Sequence, residues 1–266
     1  RILSGLQHPN IVRMIDFGQE AETGELYLVM ELLAGRSLAD RLEHGERFSL
    51  DEVLSLVEQL ARALAEAHGL GIVHRDLKPG NLFVDRRTGT GLHLTVFDFG
   101  IAKVDEPLMP RLTRTGSIHG TPHYIAPEQI RGKATPQTDL YAVGVLLYEL
   151  LSGALPHDGN TVMEVLTSHL EDDPPNLRDV WRSGAVDAAV VALVHELLSR
   201  DPAARPEGAV ELYRRVRGLR ARAEPDAVAP GTLSAWRSDL GAGDDDSGRT
   251  APLISLPATG PLDAPP

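Results

Sequence analysis

The order of elements predicts an α+β domain. Short β-type runs fill much of the first hundred positions, and helical spacing dominates from Asp139 onward. Compact polar blocks, rich in Asp, Asn, Lys and Arg, lie on the predicted loops between them, where charged residues on a rigid scaffold tend to do chemistry. The 266 residues are 42% hydrophobic and 24% charged, which suits one globular domain with a short appendage.

The elements follow in chain order. Residues 1–6 read as a helix end, closed by Gly5 and the His8-Pro9 turn. Ile11 to Phe17 and Leu26 to Glu31 are β-type runs, separated by the turn-like Glu22-Thr23-Gly24-Glu25. Leu50 to His68 carries apolar residues at Val53, Leu54, Leu56, Val57, Leu60, Leu64 and Ala67, a helical spacing. Ser49 is its N-cap and Gly69 its stop. Short strands are expected over Leu82 to Val84 and Leu92 to Phe97, then helices over 139–151, 161–170, 186–198 and 207–222. The loop with Pro202, Arg205 and Pro206 separates the last two. The apolar run from Leu140 to Leu147 falls short of the ~20 residues that a membrane span needs, so it predicts a buried core helix. After about residue 222, Pro, Ala, Gly, Asp, Ser and Thr dominate, with Asp244-Asp245-Asp246 in the middle. That composition predicts a disordered linker over 222–266.

Charge and composition exclude some functions. A formal net charge of −12 argues against a basic nucleic-acid surface. The absence of cysteine rules out disulfides and thiolate metal sites. His119 and His123 have a metal-ligand spacing but no third ligand nearby, so the other readings of these histidines are favoured. No signal peptide is visible.

Three blocks carry the chemistry: His74-Arg75-Asp76-Leu77-Lys78-Pro79-Gly80-Asn81, then Asp98-Phe99-Gly100, then Ala126-Pro127-Glu128. Each alone is weak. Their order, and the gap between the second and third, make the combination specific. From residue 1 to about 220 the chain resembles a eukaryotic-like serine/threonine protein kinase of the bacterial type. The resemblance implies a kinase-like fold with a mostly helical large lobe and a remnant of the small β lobe. It places the kinase domain at 1–221, lacking the Gly-rich loop, the β3 Lys and most of the αC helix, so an N-terminally truncated fragment is expected. Such a fragment should be inactive alone and should expose an unpaired strand edge near 11–17 and 26–31.

The resemblance also implies roles. Asp76 matches the carboxylate that accepts the substrate hydroxyl proton, and Lys78 the ammonium that holds the γ-phosphate in serine/threonine kinases. Asn81 and Asp98 match the two Mg²⁺ ligands, as oxygen donors suit a hard cation. Met30, Glu31 and Leu33 match the gatekeeper and hinge, with Phe83 and Phe97 beneath the adenine of ATP. For these two, core packing is the competing reading. Glu128 matches the acidic partner of Arg205. Asp139 matches the helix Asp that organises the catalytic loop, or else caps its helix. Thr121 lies in the substrate-docking segment with Pro122 and His123. Thr113 and Thr115 match activation-loop phosphosites, Ser117 less well, and Arg75 the residue that would sense their phosphates.

The implied function is transfer of the ATP γ-phosphate to Ser/Thr hydroxyls of protein substrates, with ATP and Mg²⁺ as cofactors. A kinase dimer is compatible, nucleic acid and a membrane segment within this chain are not expected, and the location is cytoplasmic with room for a membrane anchor beyond it. The alternatives are a pseudokinase scaffold and a small-molecule phosphotransferase of related fold. The intact Asp76, Lys78, Asn81 and Asp98 weigh against the first, and the Ala-Pro-Glu block with Arg205 against the second.

Overall fold

A computed structural model describes residues 6–20, 23–87, 91–99, 122–181 and 187–223. The chain divides into two compact units, Arg1–Pro225 and Asp226–Pro266, and all described residues belong to the first. The expected linker lies outside the described residues from position 224 onward, as do residues 1–5 and Gly100, Thr113, Thr115, Ser117, His119 and Thr121. Arg222 and Ala223, expected in the linker, are instead in the last turn of a helix that ends at Ala223.

Two small sheets open the fold. Strands β1 (Met14–Gln19) and β2 (Leu26–Met30) form an antiparallel pair, with a register irregularity between Met14 and Asp16. β3 (Arg36–Ser37), β4 (Leu82–Arg87) and β5 (Gly91–Val96) form the second sheet, in the order β3-β4-β5. The helices are α1 (Leu38–Glu43), α2 (Leu50–Gly69), α3 (Pro127–Ile130), α4 (Pro136–Ser152), α5 (Val162–Glu171), α6 (Leu177–Val180), α7 (Ala188–Leu197) and α8 (Ala209–Ala223). Strand and helix ends differ from the sequence expectation by a few residues. The first strand begins at Met14, because Ile11 and Val12 run along β5 instead.

α2 begins as expected. The Ser49 side chain accepts from the Glu52 N–H, and the Glu52 carboxylate accepts from the Ser49 N–H. Gly69 does not stop it. Gly69 is the last helical residue, and the left-handed turn falls at Gly71, with φ 74°. The apolar face of α2 is buried against β5, α4 and α8.

α4 is the core helix that its apolar run predicts. It starts three residues before the expected Asp139. Pro136 opens it, where its missing N–H costs nothing, and Thr135 and Thr138 cap it reciprocally. Gly153 ends it at φ 73°. Leu140, Tyr141, Val143, Val145, Leu146, Leu147 and Tyr148 are all buried, on every side of the helix. Gly144 lets α7 come close: a Cβ there would lie 2.8 Å from Leu197 Cβ.

The β1–β2 sheet contrasts with this core. Ile15 and Phe17 are each 58% exposed, and Tyr27, Leu28, Val29 and Met30 are exposed as well. No third strand joins this sheet among the described residues. The sheet therefore carries an exposed apolar surface.

Several histidines are buried in the neutral form. Burial, helped by Arg62, lowers His8 to about 4. Burial lowers His157 to about 4, and burial with the adjacent His157 lowers His169 to about 3. In the unfolded chain each returns to about 6.5, so unfolding takes up protons below that pH. Stability is therefore complete above about pH 6.5 and declines as the pH falls toward the folded values. The melting temperature, followed from pH 8 to pH 4.5, should drop on the acid side. His157→Phe should flatten that drop by removing one proton-uptake site.

Candidate active site

The catalytic block folds as a loop from His74 to Lys78 followed by a single 3₁₀ turn, Pro79–Asn81. α4 holds it from below. The buried Asp139 carboxylate accepts from the His74 N–H through Oδ2 at 2.8 Å and from the Arg75 N–H through Oδ1 at 2.9 Å. His68, on α2, donates from Nε2 to Oδ2 at 2.8 Å. Asp139 is thus an organiser of the loop and not the cap of its helix, a role that Thr135 fills. Bending the chain over one carboxylate puts Arg75 at φ 65°, a left-handed conformation uncommon outside glycine.

His74 ties the loop to the second block. It is fully buried, and burial lowers its pKa, so the ring is neutral. Its Nδ1 accepts from the Asp76 N–H at 3.3 Å, which leaves the proton on Nε2 to donate to the Phe97 carbonyl at 3.1 Å. Phe99 packs on the same ring, with centroids 4.6 Å apart. The next residue after Phe97, Asp98, is exposed and also left-handed, with φ 57°.

Register brings the polar groups together. β4 and β5 pair Leu82 with Val96, and the Phe97 N–H donates to the Asn81 carbonyl at 3.1 Å. Asn81 therefore sits beside the residue that precedes Asp98. Its Nδ2 donates to the Asp76 carbonyl at 2.8 Å and to Asp76 Oδ2 at 3.3 Å. Lys78 Nζ lies 2.9 Å from the same Oδ2, with both side chains roughly four-fifths buried. With its NH₂ committed to Asp76, Asn81 has its amide oxygen left to coordinate a cation, and Asp98 adds a carboxylate. This pair of hard oxygen donors fits Mg²⁺.

The apolar candidates divide between two cavities. Met30, Phe97, Asp98 and Phe99 line one of about 170 Å³, with Met14 and Leu28. Glu31, Leu33 and Phe83 line another of about 560 Å³, with His8 and Thr95. Phe83, on the larger cavity, and Phe97, on the smaller, meet edge to face at 5.4 Å, so each packs on the other and faces a cavity.

Behind the loop, Glu128 and Arg205 form a bidentate pair at 2.7 and 2.9 Å. The Arg205 side chain has no exposed surface. It also donates to the Ser199 and Gln137 carbonyls, and lies over the Tyr141 ring at 4.9 Å. Thr138 donates to Glu128 Oε1 at 3.1 Å. Gln129 bonds the Arg75 carbonyl at 2.7 Å, linking this brace to the catalytic loop.

Three contributors are not evident in the sequence. His68 joins Asp139 from 71 positions away. Tyr124 donates to Glu149 Oε2 at 2.6 Å, and burial raises the pKa of both, which keeps the Tyr124 proton in place. His123 reaches Asp158 at 3.2 Å. The last two tie the segment after Thr121 to α4 and its following loop. No local pattern announces such distant partners.

Removing one partner of the Glu128–Arg205 pair strands a buried charge. Arg205→Met should destabilise the domain by about 3–5 kcal/mol. Denaturant unfolding measures this, and Glu128→Gln combined with Arg205→Met should lose less than the sum of the single changes.

Comparison with known proteins follows the same lines. Residues 1–214 match the protein kinase domain family. The chain is 41% identical over 209 residues to the serine/threonine-protein kinase pkn3 of Myxococcus xanthus, covering 77% of this chain and 38% of that protein. It is 36% identical over 279 residues to PknA of Mycobacterium tuberculosis, covering 98% and 61%. With PrkC of Bacillus subtilis it shares 36% over 210 residues, covering 79% and 31%. Among solved structures, Rad53 1-466 in complex with AMP-PNP matches with a TM-score of 0.65 and 28% identity, over 80% of this chain and 52% of that one. The chain spans less than two thirds of the length of these relatives. Its loop geometry, its buried Glu–Arg brace and these matches agree: the chain belongs to the protein kinase domain family, and its relatives here include serine/threonine kinases of bacteria.

Proposed function

We propose that the natural full-length protein transfers the γ-phosphate of ATP to Ser or Thr hydroxyls of protein substrates, and that the 266-residue chain alone does so poorly. The observation that carries this is the convergence of Lys78 and Asn81 on one carboxylate oxygen of Asp76, with Asp98 two residues beyond Val96, which pairs with Leu82 next to Asn81. Asp76 accepts the hydroxyl proton as the oxygen attacks the γ-phosphorus. The new P–O bond forms as the bond to the β-phosphate oxygen breaks, and ADP leaves. Lys78 turns from Asp76 to the γ-phosphate oxygens, where its ammonium offsets charge. Mg²⁺, held by Asn81 and Asp98, supplies neutralisation of the phosphate oxygens when bound. The adenine is proposed to lie where the cavity of Met30 and Phe97 meets that of Glu31, Leu33 and Phe83, which both include Leu6 and Ile11. Binding of a nucleotide analogue by the Rad53 neighbour supports this use of the cleft. Residues 224–266, after the end of α8, are proposed as a linker, on composition.

Asp76→Asn should abolish phosphoryl transfer and leave nucleotide affinity within a few-fold, since Asp76 meets the hydroxyl and not ATP. Asp98→Asn should instead raise the Mg²⁺ concentration needed for nucleotide binding. Transfer of ³²P to a protein substrate, alongside nucleotide titration at several Mg²⁺ concentrations, separates the two. Near-normal turnover by Asp76→Asn would remove Asp76 as the base.

Phosphorylation of Thr113 or Thr115 is proposed to switch the enzyme on, with Arg75 as the partner of the added charge of about −2. Mass spectrometry of active protein should find phosphate at one of them. Thr113→Ala with Thr115→Ala should lower activity at least tenfold. Unchanged activity would place the switch elsewhere.

A further inference from the structure

β5 is an edge strand of its sheet, and its outer edge is completed in an unusual way. Its outward-facing backbone groups belong to Leu92, Leu94 and Val96. The segment around Ile11 serves the last of these: Val12 N–H donates to the Val96 carbonyl at 2.9 Å, and Val96 N–H donates to the Asn10 carbonyl at 2.8 Å. Beyond that point no strand continues among the described residues. The side chain of Gln59, from α2, continues the ladder instead. Its Oε1 accepts from the Leu94 N–H at 2.9 Å, and its Nε2 donates to the Leu92 carbonyl at 2.9 Å. A carboxamide has the donor and acceptor of a peptide unit, so it can stand in for one.

Asn10 joins the two halves. Its Nδ2 donates to Gln59 Oε1 at 3.0 Å and to the Leu94 carbonyl at 2.7 Å. Asn10 is 3% exposed, and Leu94 and Val96 are buried, so these bonds lie away from water and leaving any unmade is costly. Gln59 also donates to the Ser55 carbonyl at 3.3 Å, which fixes it on its own helix.

The place of this brace matters. β5 leads within two residues to Asp98, and the segment 10–12 leads directly into β1, whose partner β2 ends at Met30. We propose that Gln59 is a positioning residue for Asp98. It locks the edge of β5 to the segment that feeds the β1–β2 sheet, so that the metal-binding carboxylate and the hinge keep one register. The proposal rests on the kinase reading above, and goes beyond it by assigning a role to a residue that touches neither nucleotide nor substrate.

The test has a structural arm and a functional arm. In the 266-residue chain, Gln59→Leu should speed amide hydrogen exchange at Leu94 at least tenfold more than at Val145 in the core helix. In the natural full-length protein it should raise the KM for MgATP and the Mg²⁺ requirement five- to tenfold, with kcat at saturation within about twofold. Gln59→Glu keeps the acceptor for Leu94 but loses the donor for Leu92, so Leu94 exchange should return toward the parent value and KM should recover in part. If Gln59→Leu does not fold, Asn10→Ala removes the link from the other side and should shift KM in the same direction. Leu94 exchange that stays slow, or a KM that stays fixed while Leu94 exchange rises, overturns the proposal. If the parent protein transfers no phosphate at all, the kinase reading fails, and an unchanged Mg²⁺-dependent nucleotide affinity in Gln59→Leu then overturns the positioning role separately.

Discussion

A carboxylate that is 1% exposed, in the first turn of a helix otherwise packed in apolar side chains, is a costly group to bury. Asp139 is tolerable only because both its oxygens are occupied, and because the positive end of the helix dipole lies beneath it. Its three donors come from His68 on α2 and from two consecutive backbone N–H groups of the catalytic loop. Two neighbouring peptides can point at one carboxylate only if the chain bends sharply, and Arg75 supplies the bend at φ 65°. Such a conformation costs on the order of 1–3 kcal/mol. The charge-assisted bonds offset it. The presentation of Asp76 is therefore set by the core helix, from below.

The rest of the site follows from that bend. With Arg75 turned, the His74 ring lies where its two nitrogens bridge Asp76 and Phe97. Neutrality is essential to the bridge. A protonated ring has no acceptor for the Asp76 N–H, and burial keeps the ring unprotonated. Phe99 closes over the same ring, and Asp98 between them takes the second left-handed conformation. The two strained non-glycine positions among the described residues thus lie on either side of one imidazole. On the far side, Gln129 holds the Arg75 carbonyl, so the loop is bonded to the residue next to Glu128 of the Glu128–Arg205 brace.

The polar blocks were legible because their chemistry demands fixed residue types at fixed spacing. α2 was legible because Ser49 and Glu52 form a capping box ahead of a long apolar stripe. The start of α4 was not. Gln137 and Thr138 are polar and broke the apolar pattern, yet Thr138 is buried against Glu128 and Gln137 bonds the loop after Arg205. Periodicity sees no such distant partner. The end of α2 was misplaced for a different reason: two glycines, Gly69 and Gly71, both suit a helix end, and only the backbone chooses between them. The short helices α1, α3 and α6 are too brief for a periodic signal. Glu149 and Gln59 carry no motif at all, because each acts through a residue remote in the chain.

The groups proposed for phosphate chemistry and those proposed for adenine have different supports. Asp76, Lys78 and Asn81 stand on the large helical core, through α2 and α4. Met30 ends a two-stranded sheet whose side chains are largely exposed, and Glu31 and Leu33 follow it. Apolar packing alone cannot fix the register of so thin a sheet, because a slip would expose little more than is already exposed. Directional bonds can. Arg13 and Glu31 exchange two of them: the Arg13 N–H donates to the Glu31 carboxylate at 2.8 Å, and the Glu31 N–H donates to the Arg13 carbonyl at 3.0 Å. The segment before Arg13 is bonded in turn to Val96 on β5. A continuous run of hydrogen bonds therefore leads from Glu31 to β5, which ends two residues before Asp98. Hydrogen bonds, with their narrow geometry, hold the two halves of the cleft in register where the hydrophobic core does not reach.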